Sequence, residues 1–270
     1  MSSYRFCRTD DIALLVDAWN RCAPEGGATV DGFKRDIREL GVWCSSCMVA
    51  FDGADPVGVL VGCKRPPETL VLELAVHPDH RRRGHARHLL TSLSAKLAIL
   101  GPPRLVAEIP EGNEAARALF ATCGWREETR FVDLSSESPP WPVPPGVVHE
   151  ASYREMKDAF VPRAASTWER SPATLEARTH RLRGLVIAGA ERVDASLLHD
   201  GGVVWAIHYE RDGAGEAGLR ALLGEVARRE GAPVTMPGVG NEEIDPARWS
   251  SLGLSPTRTV IRLESRAVAG

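Results

Sequence analysis

The stretch Ser135-Ser-Glu-Ser-Pro-Pro-Trp-Pro-Val-Pro-Pro-Gly146 constrains this chain more than any other, because it packs five prolines into twelve residues. Proline fixes φ and has no N–H to donate, so the stretch can neither continue a helix nor lie inside a sheet. It favours an extended, fairly stiff connector. Cut there, a chain of 270 residues yields two pieces, each within the roughly 100–200 residues of an ordinary domain. The expected organisation is a first domain over 1–136, a linker over 137–146 and a second domain over 147–270.

Periodicity then orders the first piece. Tyr4–Arg8 reads as a short strand, and Asp10 or Asp11 caps a helix whose Ile12, Leu15, Val16 and Trp19 recur at helical spacing. Cys22-Ala-Pro-Glu-Gly-Gly27 breaks that helix, and Asp31–Leu40 is a second one. Met48–Phe51 and Val57–Cys63 read as neighbouring strands with Asp52-Gly53 as the turn. Glu68–Val76 is a longer strand, Ala86–Leu100 a helix, Leu105–Ile109 a strand, Glu114–Cys123 a helix and Glu128–Leu134 a last strand. The second piece repeats this order. It runs strand Val147–Glu150, helices Tyr153–Ala165 and Pro172–Gly184, strands Leu185–Ala188, Ala195–His199 and Val203–Tyr209, helix Gly215–Glu230, strand Pro233–Met236, short helix Pro246–Leu252 and strand Thr259–Leu263. The fold class expected is α/β with a mixed sheet, built twice by internal duplication.

Charge and cysteines narrow the function classes. A net charge of −3 offers no basic field for nucleic acid or an acidic membrane. No apolar run reaches the roughly 18 residues that span a bilayer, and the N-terminus lacks a signal peptide's apolar core, so the expected compartment is the cytoplasm. All six cysteines lie in the first half; Cys44 and Cys47 have clip spacing, but no second pair follows to complete a zinc site. Free thiols and no metal are expected.

The chemistry is concentrated in Val71-Leu-Glu-Leu-Ala-Val-His-Pro-Asp-His-Arg-Arg-Arg-Gly-His-Ala-Arg-His-Leu-Leu90. A strand ends, a compact loop carries Arg81, Arg82, Arg83 and Gly84, and a helix begins near Ala86. Such a loop aims backbone N–H groups and the positive end of the helix at one point, which suits phosphate. Gly84 and Ala86 leave room for close approach, and the arginines can add charge-assisted bonds. Taken alone, the same spacing also fits a solvated basic loop. His77, His80, His85 and His88 crowd this loop and read as solvent-facing residues beside phosphates rather than metal ligands.

This segment resembles the acetyl-CoA signature of the GNAT N-acetyltransferases, in which Arg or Gln, two residues, Gly, one residue and Gly or Ala form the pyrophosphate loop. Arg81, Gly84 and Ala86 fill those places after a family-like Leu-Ala-Val-His-Pro, and Asn113 followed by a helix reaching Phe120 and Gly124-Trp125 is similar to a second family motif. The resemblance runs through Tyr4–Leu134 and implies two tandem acyl-CoA N-acyltransferase domains. It implies acetyl-CoA (coenzyme A) as cofactor, with pantetheine between splayed strands Leu70–Val76 and Leu105–Ile109, against the backbone of Leu74, Ala75 and Val76. Pyrophosphate would sit on Arg82, Arg83, Gly84, His85, Ala86 and Arg87, with Arg81, Asn113 and Phe120 also in the cofactor set. The backbone N–H of Val76 would serve the oxyanion.

Acetyl transfer to an amine needs a base. Glu108 is the first candidate, since Glu108-Ile-Pro-Glu-Gly-Asn113 resembles a segment of bacterial ribosomal-protein N-terminal acetyltransferases; a strand carboxylate paired with Arg104 is the plainer reading. Glu73 is the second, since burial in an apolar strand would raise its pKa, although strict alternation sets it opposite Leu72 and Leu74 unless a bulge intervenes. Glu25 is the third; with Trp19 it belongs to the segment that in relatives covers the acceptor. Phe120 stands where many members carry a Tyr that protonates the leaving thiolate. In the second half, Glu210, Asp212 and Glu216 stand where phosphate would sit, which reads as a degenerate copy shaping the acceptor cleft, with Trp168, Trp205, His208 and Tyr209 as lining or core. The expected activity is acetyl transfer to a primary amine of a small molecule or a peptide N-terminus in a ternary complex, by a monomer or homodimer. The alternatives are a non-catalytic acetyl-CoA sensor and, less well supported, a nucleic-acid module.

Overall fold

The computed structural model describes residues 2–136, 148–160, 166–189, 192–231 and 233–267; most of the proline-rich linker lies outside the described residues. The chain forms two compact units, Met1–Thr129 with Ile261–Gly270, and Arg130–Val260.

In the first unit, β1 (Ser2–Phe6) is followed by α1 (Ile12–Cys22) and α2 (Val30–Glu39), then β2 (Met48–Asp52), β3 (Asp55–Arg65) and β4 (Glu68–Val76). Next come α3 (His85–Leu100), β5 (Arg104–Pro110), α4 (Glu114–Thr122) and the start of β6 (Arg126–Ser136). Strands β1 to β4 form an antiparallel meander, and β5 joins β4 in parallel. The place beside β5 is filled by the chain's last strand, β12 (Ser255–Arg266). Ile261 and Leu263 of β12 pack in the first unit's core with Leu60, Leu89, Leu93, Leu105 and Phe120. The division thus differs from the expected boundaries at the C-terminal strand, whose apolar side chains are claimed by the first core.

The second unit holds the rest of β6 and β12 with β7 (Val148–Ala151), α5 (Tyr153–Met156), α6 (Pro172–Ala177), β8 (Arg183–Ala188), β9 (Val193–Asp200), β10 (Val203–Tyr209), α7 (Gly213–Glu230) and β11 (Val234–Val239). The order from β6 is β11-β10-β9-β8-β7. Its main core sets Leu219, Leu222, Leu223 and Val226 of α7 against Leu185, Leu197 and Val204. Two helices are shorter than their sequence patterns. Beyond α5, Lys157–Phe160 is a 3-10 turn, and residues 161–165 lie outside the described residues. Expected to end a helix, Gly184 instead lies in β8. A Cβ there would stand 2.3 Å from Met156 Sδ and 2.4 Å from Ala151 O, so close packing of β7 on β8 requires glycine.

Candidate active site

The residues singled out on β4 come together because that strand bulges. Val61 is the partner of Glu73 while the next residue, Gly62, is the partner of Val71, so Leu72 is extra. Val71 and Leu74 therefore both pack towards the core that includes α3, and Glu73, opposite Val61, is turned to the other face, where α1 lies. There the Trp19 indole donates to its carboxylate. Burial pushes the Glu73 carboxyl above its usual value, against the hydrogen bonds from the Leu74 N–H and Trp19. Trp19 also meets Phe33 edge-on at 6.3 Å. Glu25 is exposed in the turn Pro24–Gly26, and the Asn20 amide clasps that loop through Ala28 N–H and C=O, each at 2.8 Å. Sequence reasoning passed over Asn20, whose clasp reaches across eight residues.

On its other edge, β4 leaves β5. Register pairs run from Glu68↔Arg104 to Val71↔Ala107 and stop. His77 N–H donates to Val57 O at 2.9 Å, which makes Gly58↔Val76 a non-hydrogen-bonded pair. The N–H and C=O of Val76 accordingly face away from β3, into the opening, as alternation also requires of Leu74, while Ala75 faces Val59. Arg81 Nε donates to Val76 O at 3.0 Å, tying the loop to the strand end.

The loop itself holds Arg82 at φ +62 and Gly84 at φ +87. A Cβ on Gly84 would meet nothing within 4 Å, and no side chain caps α3. The first N–H groups of α3, at His85, Ala86 and Arg87, are therefore open donors beside exposed Arg81, Arg82, Arg83 and Arg87. The His85 side chain departs from expectation. It is 4% exposed and its Nδ1 shares a hydrogen bond with Tyr4 Oη at 2.9 Å. Burial and the neighbouring His80 lower its pKa. Among the described residues no group of three or more His, Cys, Asp or Glu side chains is placed to hold a metal ion, and all six cysteines are free.

Glu108 is placed differently. Its carboxylate is held by Arg262 of β12, whose Nε lies 3.1 Å from Oε1 and whose Nη2 also donates to it. The side chains are 8% (Arg262) and 15% (Glu108) exposed. A proton reaching that oxygen would have to displace a guanidinium. The partner is not Arg104, which pairs with Glu68, Glu128 and Glu264; nothing in the sequence near Glu108 could point to a residue 154 positions away. Asn113 caps α4, accepting from Ala116 N–H at 3.1 Å. Phe120 is 3% exposed and stacks edge-on with Trp125 at 4.8 Å, so its ring belongs to the core.

The second unit repeats the bulge and the parting strands, but the space is occupied by its own residues. β10 pairs with β11 at Val203↔Thr235 alone among the described residues, with a bulge at Trp205. The buried Arg170 guanidinium bridges the two strands, donating to Val204 O at 3.4 Å and Pro237 O at 3.2 Å and pairing with Glu243. Asp212 caps α7, accepting from Gly215 N–H at 2.8 Å, and a Cβ on Gly215 would lie 2.0 Å from Glu210 O. Trp168 and Tyr209 are buried, whereas Trp205 and His208 are half-buried.

A profile of the Acetyltransferase (GNAT) family matches residues 13–125. An acetyltransferase of Photorhabdus laumondii is 30% identical over 114 residues, covering 41% of this chain and 77% of that protein. One of Pectobacterium atrosepticum is 27% identical over 119 residues, covering 43% and 82%. Several solved structures share the fold along the whole chain, two of which illustrate it. A tandem GNAT protein from the clavulanic acid biosynthesis pathway has TM-score 0.70 at 16% identity, with 100% of both chains covered. A GCN5-related N-acetyltransferase from Sphaerobacter thermophilus has TM-score 0.67 at 15% identity, covering 100% of this chain and 96% of that one. With the bulged and parted strand, the open glycine turn and these relatives together, the chain belongs to the GNAT acetyltransferase family as a tandem-fold member.

Proposed function

We propose that this protein transfers the acetyl group of acetyl-CoA to a primary amine of a small molecule in a ternary complex, and that the first unit does the chemistry. The observation that carries the reading is the parting of β4 from β5 beyond Val71 and Ala107, beside an uncapped α3 whose Gly84 faces open space. These features fit the cofactor: the C=O of Leu74, whose N–H already serves Glu73, and the backbone of Val76 suit an amide-bearing arm, and the N–H groups of His85–Arg87 with the arginines suit pyrophosphate. When bound, acetyl-CoA supplies an acyl group activated as a thioester.

Glu73 is the better base. Its carboxyl is raised by burial and meets Trp19 on the face of α1, whereas Glu108 is committed to Arg262. Glu73 takes a proton from the acceptor's ammonium group, directly or through one water, leaving the neutral amine that attacks. Trp19 and the Leu74 N–H orient its carboxylate. The Val76 N–H stands free of β3, a donor for developing negative charge. Glu25 on its clasped loop supplies negative charge suited to a cationic acceptor. In the second unit, Arg170 and Asp212 take the places that ligand would need, which supports one cofactor per chain.

A non-catalytic acetyl-CoA-binding role is favoured by one observation, the hydroxyl-free Phe120 turned into the core. The two readings separate in an assay of acetyl-CoA-dependent thiol release over polyamines, aminoglycosides, amino acids and short peptides. Amine-dependent release lost in Glu73→Gln is the expected outcome. Binding of CoA without release for any amine would favour the sensor.

A further inference from the structure

The phosphate-binding turn is held in an unusual way. Arg82 and Gly84 both adopt left-handed backbone, a conformation costly for a residue with a side chain. An uncapped helix start frays unless something else pins it. In α3 that pin reaches inward from the first residue. The His85 ring is buried, and Tyr4 Oη holds its Nδ1 at 2.9 Å. Tyr4 stands on β1, opposite Ala50 of β2, so a residue 81 positions earlier fixes the first turn of α3. The Tyr4 ring also lies 3.8 Å from the His88 ring, one turn along the same helix. His80 and Arg83 from the loop and Asp52 from β2 are further titratable neighbours of His85.

We propose that Tyr4 is a positioning residue for the donor's pyrophosphate: through His85 it sets the N–H groups of the first turn of α3 in the geometry that grips the phosphates. The proposal rests on the cofactor reading above. It separates phosphate from the rest of the ligand, because Tyr4 acts only on the α3 end and the pantetheine arm is offered to β4.

The test is calorimetric binding of CoA and of pantetheine, which has no phosphate, to wild type and Tyr4→Phe. The variant keeps the ring on His88 and removes only the hydroxyl. CoA should bind about five- to tenfold more weakly, the worth of one part-buried hydrogen bond, with pantetheine changed less than about twofold. Equal weakening of both ligands would show a general structural role and overturn the proposal, as would unchanged CoA affinity. Should Tyr4→Phe fail to fold, His85→Leu is measured instead; where both fold, the effect of Tyr4→Phe should vanish in the His85→Leu background, and full additivity would sink the idea. Absence of CoA binding in wild type would overturn the cofactor reading itself, an outcome distinct from any of these.

Discussion

At the scale of single residues, two carboxylates on one sheet take opposite fates through their neighbours. Glu73 sits among apolar groups that favour its neutral form, opposed only by two neutral hydrogen bonds, so its proton affinity lies above the ordinary carboxylate value of 4.5. As the proposed base it must lose that proton, so kcat should rise with pH through a transition above 4.5. Glu73→Gln should remove that limb from the pH–rate profile and lower kcat by about 10²–10⁴-fold; a limb that survives the substitution belongs to another group. Glu108 is instead half of a largely buried ion pair. Arg262→Ala takes the guanidinium away from a carboxylate that is 15% exposed, and removing one partner of such a pair costs up to roughly 3–5 kcal/mol. Urea denaturation should show that loss, and the apolar double variant Arg262→Met/Glu108→Leu should recover most of it.

At the scale of elements, what decides the site is how strands depart from regularity. One extra residue at Leu72 turns Glu73 towards α1 while Leu74 stays in the core. Without it, period-two alternation would put Glu73 in the core and Leu74 on the α1 face. Glycines mark the other departures, for unlike reasons. Gly84 needs its positive φ but has free space around it, whereas Gly184 needs the space itself. Gly84→Ala should thus cost mainly backbone strain, about 1–2 kcal/mol, and weaken CoA binding. Gly184→Ala drives a methyl into Met156 and the Ala151 carbonyl, an overpacking that costs about 1–3 kcal/mol or more. It should lower the melting temperature and leave a β7–β8 register that hydrogen exchange reads as loosened.

At the scale of the whole chain, two units of one topology differ in what fills their equivalent places. The first keeps its parted strands and its helix terminus open; the second fills the equivalent places with the Arg170–Glu243 pair and the Asp212 cap. Calorimetric titration with CoA should therefore give a stoichiometry of one per chain, and a value of two would overturn this account of the second unit. The last strand adds a dependence that runs the length of the protein. Ile261, Arg262 and Leu263 serve the first unit's core and its largely buried ion pair.

The sequence determined most of the local elements and the glycine turn, because helical and strand periodicity and the Arg-rich loop are written within a few residues of one another; the cap read at Asp10 or Asp11 is not made, since the Asp11 carboxylate is held by Arg5 and the Arg8 N–H. Gly84 is legible as a backbone requirement for that reason, and the tandem organisation follows from the repeated order of elements. Tertiary structure alone decided the partners. Arg262 on Glu108, Tyr4 on His85, Trp19 on Glu73 and Arg170 across β10 and β11 join residues far apart in the chain, and no local pattern encodes them. They form where packing brings strands from different places side by side and leaves a buried polar group that must find a partner.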